Sequence, residues 1–256
     1  MNILLNLTFN GTNYFGWQSQ PGGNTVQQAV EAAISAISGV PADVQGCSRT
    51  DSGVHALEYV CNFHTAGETF ASQSGAAIPL DKLPAALNAN LPRDIAINFA
   101  EAVDDDFRSR YSVTRKTYAY NILNSRTRNP FLRGFSWRVP YPLDIEAMQE
   151  CCSRLTGTHD FKAFMSSTTD PPANTVRTVY HCSAEPSPDA PNLLIFTVTA
   201  NAFLYNMVRI MVGTTVMAGS GKIDPKTIPL IIESGDRKLA GVTAPPTGLF
   251  LKKVTL

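Results

Sequence analysis

Arg49-Thr50-Asp51-Ser52-Gly53 places a cation, a hydroxyl and a carboxylate side by side, and Gly53 frees the backbone to turn after them. Val54 to Phe63 then reads as a strand. A carboxylate at the mouth of a strand is where an α/β protein commonly keeps its chemistry. Asp51 can serve there as a nucleophile or a general base. An Asp before Ser-Gly is also an ordinary turn or cap residue. A third reading, half of an aspartic-protease pair, needs a second carboxylate and an apolar strand leading into the Asp. Here Arg49-Thr50 leads in, and no second Asp-Ser/Thr-Gly occurs, so such a chain would have to dimerise through this loop.

Arg209 is the next candidate, because it interrupts the apolar run Met207-Val208-Arg209-Ile210-Met211-Val212. An unpaired buried charge costs several kcal/mol, so this arginine either snorkels to the surface or meets an acid. If the acid were Asp51, the pair would keep that carboxylate ionised. Tyr118 lies on an alternating stretch, where a tyrosine is either core or the floor of a base pocket. Other chemistries lack their residues. The four histidines adjoin no nucleophile elbow, no Gly-rich phosphate loop occurs, and no His-x-Glu precedes a Cys-x-x-Cys. Cys61 and His64 have no second ligand pair at zinc spacing, so both read as strand residues.

The elements that must position these residues follow from periodicity. Ile3 to Phe9 alternates as a strand. Asn10-Gly11-Thr12-Asn13 turns it, and Tyr14-Phe15-Gly16-Trp17-Gln18 follows as an aromatic loop. A capping-box pattern, Thr25 with Gln28, opens a helix that Gly39 and Pro41 stop. A short helix is expected near Leu83 to Leu87 and a strand over Ile95 to Phe99. Lys116 to Leu123 alternates again, with Tyr118, Tyr120 and Ile122 on one face. Asp144 caps a helix ended by Gly157. Val176 to Ala184 and Leu193 to Thr199 read as strands. A strongly apolar helix is expected from about Phe203 to Ala218, another over Pro225 to Ser234, and a last strand over Leu249 to Val254. The mixed order makes the chain α/β, with an N-terminal domain over 1–105 and a C-terminal domain over 106–256.

The formal net charge is zero, which argues against a polyanion partner on average, but the charge is uneven. Arg108, Arg110, Arg115, Lys116, Arg126, Arg128, Arg133 and Arg138 fall between Phe107 and Arg138 with no Asp or Glu among them. A charge run can be a solvated face. Interleaved with Tyr111, Tyr118, Tyr120, Phe131, Phe135 and Trp137, it better suits a nucleic-acid surface, where guanidinium grips phosphate and aromatic faces stack on bases. Five cysteines at unpatterned spacing point to reduced thiols and a cytoplasmic setting. No leader and no membrane span is expected.

Seven blocks in register resemble the tRNA pseudouridine synthase A family: FNGTNYFGWQSQ, NTVQQAVEAAI, GCSRTDSGVHALEYVCNF, FRSRYSVTRKTYAYNI, LTGTHDFKAF, NAFLYNMVRIMVG and APPTGLFL. The resemblance implies isomerisation of uridine to pseudouridine in the anticodon stem-loop of tRNA, positions 38–40, without cofactor or metal. It implies two ferredoxin-like α/β domains with mixed, mainly antiparallel sheets joined across a central catalytic cleft. A homodimer is implied, with one tRNA reaching across both subunits. Position by position, Asp51 resembles the catalytic aspartate, and Arg49 would hold the flipped nucleotide or fill its place. Tyr118 would stack on the target uracil, Arg209 would pair with Asp51, and Leu249 would line the base pocket. Arg110 and Arg115 would bind the RNA. The sequence departs from the family pattern at Arg108-Ser109, at Ala200-Asn201-Ala202 and at Thr255-Leu256, none of which touches the four central residues.

Overall fold

The computed structural model describes all residues, Met1–Leu256. In chain order the elements are β1 (Asn2–Phe9), α1 (Val26–Ser38), β2 (Gln45–Gly46), β3 (His55–His64), α2 (Leu83–Asn88), β4 (Ile95–Val103), α3 (Ser109–Ser112) and β5 (Arg115–Asn124). They continue with β6 (Trp137–Val139), α4 (Ile145–Leu155), β7 (Gly157–Asp160), β8 (Val176–Pro186), β9 (Leu193–Ala200), α5 (Met207–Gly219), α6 (Ile228–Ser234) and β10 (Leu249–Thr255). The chain divides into two compact units, Met1–Thr114 with Leu251–Leu256, and Arg115–Phe250. The fold is mixed α/β with mostly antiparallel strands.

In the first unit β1 is flanked by β3 and β4, both antiparallel to it, and β10 neighbours β3. The crossovers β1-α1-β2 and β3-α2-β4 interleave, which is the split β-α-β arrangement. The Thr25 hydroxyl accepts from the Gln28 amide at 3.3 Å and caps α1, and Gly39 closes it at φ 75°. Val26, Val30, Ala33 and Ile34 form its buried stripe. The sheet buries Asn2 and Asn62 completely, and both are satisfied. Asn62 donates to Asn2 Oδ1 at 3.0 Å and accepts from the Ser109 amide at 2.9 Å, while Asn2 donates to the carbonyls of Asp104 and Phe107. These bonds tie residues 104–109 to the first unit.

In the second unit the strand order is β5-β9-β8-β7, antiparallel throughout, with β6 parallel to β5. Tyr118, Tyr120 and Ile122 oppose Val198, Phe196 and Leu194 on the buried face. Asp144 caps α4 by accepting from the amides of Glu146 and Ala147. The apolar helix α5 starts at Met207, four residues later than its composition suggests. Asn206 stands before it at φ 60°, a left-handed conformation that a helix cannot run through. α6 likewise starts at Ile228, because Pro225–Thr227 form a separate 3-10 turn capped by Asp224.

Candidate functional site

Asp51 lies in the loop between β2 and β3 and is half-buried, while Arg49 is exposed. The loop is held mainly by backbone. Gly53, at φ 78°, donates its N–H to the Tyr14 carbonyl at 3.3 Å, and the Ser52 hydroxyl donates to the same oxygen at 3.2 Å. The Trp17 amide donates to the Thr50 carbonyl at 3.2 Å, and Val54 donates to the Asp51 carbonyl at 3.1 Å. Gly16 passes so close that a Cβ there would stand 2.3 Å from the Thr50 oxygen, and its φ of 88° also excludes most side chains. Beneath the loop Trp17 stacks on Tyr59 at 4.1 Å between ring centroids, and the Tyr59 hydroxyl donates to the Ser48 carbonyl. His55 is buried and spent on structure, its Nδ1 accepting from the Gly11 amide at 3.1 Å.

Tyr118, Arg209 and Leu249 belong to the second unit. Tyr118 is buried on β5, its ring edge-on to Phe203 at 5.1 Å. Arg209 sits in the first turn of α5, half-buried. Its Nε donates to the Ala244 carbonyl and one terminal nitrogen donates to Asn206 Oδ1, both at 2.7 Å. Asn206 in turn donates to the Ser166 hydroxyl at 3.0 Å. Leu249, buried at the start of β10, follows Gly248, where a Cβ would come within 2.6 Å of the Tyr120 ring. The Tyr120 hydroxyl donates to the Pro245 carbonyl at 2.7 Å. Burial holds that phenol well above its usual range, and the Arg209 charge acts in the opposite direction. Around Arg209 and Leu249 the second unit thus brings Tyr120, Ala244 and Gly248 into one cluster. Asn206 and Ala244 carry no side-chain signal in the sequence that marks them as supports for an arginine.

Arg110, Arg126, Arg128, Arg133 and Arg138 are exposed, and none forms an ion pair. Arg110 lies over the Tyr111 ring and Arg115 over that of Tyr180, at 5.6 and 4.4 Å. Phe131 is 92% exposed between Arg128 and Arg133. No group of three His, Cys, Asp or Glu side chains is placed to hold a metal ion, and no helix is long and apolar enough to cross a membrane.

A carboxylate on a braced turn, a stacking-capable tyrosine, and exposed arginines interleaved with aromatics are parts for chemistry on a nucleic-acid base. Residues 7–112 and 151–255 match the family model described as tRNA pseudouridine synthase. The chain belongs to that family and is an isomerase acting on uridine in tRNA. More narrowly, it is 45% identical over 253 residues to the tRNA pseudouridine synthase A of Thermoanaerobacter sp. (strain X514), covering 99% of this chain and 98% of the relative. It is 44% identical to that of Caldicellulosiruptor bescii, with the same coverage. With tRNA pseudouridine synthase A 2 of Clostridium perfringens it shares 45% over 254 residues, again 99% and 98% of the two chains.

Proposed function

We propose that this chain isomerises uridine to pseudouridine in the anticodon stem-loop of tRNA, at positions 38–40, as a cytoplasmic homodimer that needs neither cofactor nor metal. The observation that carries the reading is a carboxylate on a rigidly braced turn at the entry to β3, in a chain of this family. The reaction breaks the N1–C1′ glycosidic bond, turns the base, forms C5–C1′ and releases the C5 proton. The target uridine must leave the stack to be reached, at a cost of a few kcal/mol. Asp51 is the reacting group. Attack on C6, attack on C1′ and removal of the 2′ proton all require it ionised, and Arg209 supplies the compensating charge. Tyr118 stacks on the uracil, Leu249 lines the pocket, Arg49 holds or replaces the flipped nucleotide, and Arg110 and Arg115 hold phosphates.

The test is tritium release from a tRNA transcript carrying C5-tritiated uridine, followed by mapping of the product. Release with pseudouridine at 38–40 is expected; no release, or pseudouridine only elsewhere, defeats the proposal. Tyr118→Phe should keep tRNA affinity and Tyr118→Leu should lose roughly 1–3 kcal/mol of it, the worth of one base–aromatic stack. Equal Kd values for the two variants remove the stacking role. Replacing Arg126, Arg128 and Arg133 together with Gln should weaken binding and flatten its salt dependence, by roughly 0.7–0.9 in log–log slope for each phosphate no longer neutralised. An unchanged slope in a potassium chloride series would show that the loop meets no phosphate.

A further inference from the structure

We propose that Tyr14 is a positioning residue for the Asp51 loop, and that Asp94 fixes Tyr14. The inference rests on the reading of Asp51 as the reacting carboxylate. Three hydrogen bonds brace the residues flanking Asp51 from the turn that follows β1. Two of them end on one atom, the Tyr14 carbonyl oxygen, which accepts from Gly53 N–H and from the Ser52 hydroxyl at 3.3 and 3.2 Å. The third is Trp17 N–H on the Thr50 carbonyl. The position of the Asp51 backbone therefore follows the position of Tyr14.

Tyr14 is itself anchored from the far end of its ring. Its ring is buried and its hydroxyl donates to Asp94 Oδ1 at 2.5 Å. The Asp94 carbonyl meanwhile accepts from the Asn10 amide at 2.8 Å, so one residue grips the turn at two points. Burial and the Asp94 carboxylate hold the phenol far above its usual range, so it remains a donor wherever the enzyme is expected to work. Gly16 lets the turn approach; any side chain there meets the Thr50 carbonyl. A loop carrying a reacting group tolerates little displacement, since misplacement by about 1 Å can cost about 100-fold in rate.

The experiment compares Tyr14→Phe, Asp94→Asn and Asp51→Asn by steady-state kinetics on a tRNA transcript, with Tm measured for each. Phe retains the ring and the backbone carbonyl and loses only the bond to Asp94. Tyr14→Phe is expected to lower kcat roughly 10–100-fold with KM for tRNA within about twofold, the split of a group misplaced in the transition state. Asp94→Asn keeps an oxygen for the tyrosine hydroxyl and should retain most of kcat. Wild-type kcat in Tyr14→Phe, a loss that tracks the unfolded fraction, or equal damage from Asp94→Asn overturns the proposal. Should Tyr14→Phe fail to fold, Ser52→Ala decides, because it removes one strut from an exposed position; an unchanged kcat then defeats the idea. Asp51→Asn separates the two readings. If it is active, the assignment of Asp51 has failed; if it is dead while Tyr14→Phe is unimpaired, only the positioning role has.

Discussion

Asp51→Asn should release no measurable tritium from C5-labelled tRNA while binding the RNA and melting like the wild type. The side chain keeps its shape and loses its charge. Four of the bonds that order the loop run through the backbone of Thr50, Asp51 and Gly53 and through the Ser52 hydroxyl, and Asn at 51 leaves those four in place. The size of the loss carries mechanistic information. Removing a covalent nucleophile costs on the order of 10⁶-fold in kcat in a well-studied hydrolase. Removing a general base costs about 10²–10⁴-fold. Residual turnover in the second range would favour abstraction of the 2′ proton over attack on carbon. Turnover equal to wild type would dismiss Asp51 altogether. Trapping of a covalent RNA adduct by the wild type but not the variant would distinguish attack from proton removal independently.

Arg209→Lys is expected to cost about 100-fold in kcat despite conserving the charge. The guanidinium donates along two directions, through Nε to the Ala244 carbonyl and through a terminal nitrogen to Asn206. A lysine ammonium is a compact point charge that cannot reproduce the planar fork, so its position would no longer be set by both partners. Loss of one such bond should also lower stability by about 1 kcal/mol, because the Ala244 carbonyl is left without that donor. Thermal melting and single-turnover rates at saturating tRNA separate the two effects. A lysine variant with wild-type single-turnover rate would mean that charge alone is needed. Asn206→Ala should move in the same direction by a smaller factor, through looser placement of the arginine.

The periodic elements were legible because their signals are local. Thr25 with Gln28, Gly39, and the alternation of Tyr118, Tyr120 and Ile122 each announce an element from within it. What failed were the starts of α5 and α6. Phe203-Leu204-Tyr205 are apolar enough to extend α5, and only the left-handed Asn206 reveals that they do not. Asp51, Arg209 and Tyr118 could be singled out because each is chemically conspicuous among its neighbours. Their supports could not, since the Tyr14 and Ala244 carbonyls are backbone atoms that every residue possesses. Gly16 alone among them leaves a trace, as a small residue in an aromatic run, and its reason is visible only once the Thr50 oxygen lies against it.

The last strand has a consequence for how the chain acquires its structure. β10 from Leu251 onward belongs with the first unit, where it neighbours β3, Val254 N–H reaches the Glu58 carboxylate at 3.0 Å, and Thr114 donates to the Thr255 carbonyl. All of the second unit is synthesised before those residues emerge from the ribosome. Until then β3 carries an open edge, with unpaired N–H and C=O groups able to recruit another chain. The pairing that closes it spans almost 200 residues, from Glu58 to Val254, so it forms late and slowly in any folding reaction. Completion of the loop-bearing unit is thereby coupled to synthesis through the end of β10, and a nascent chain stalled before Leu251 would expose an aggregation-prone edge beside an otherwise formed Asp51 turn.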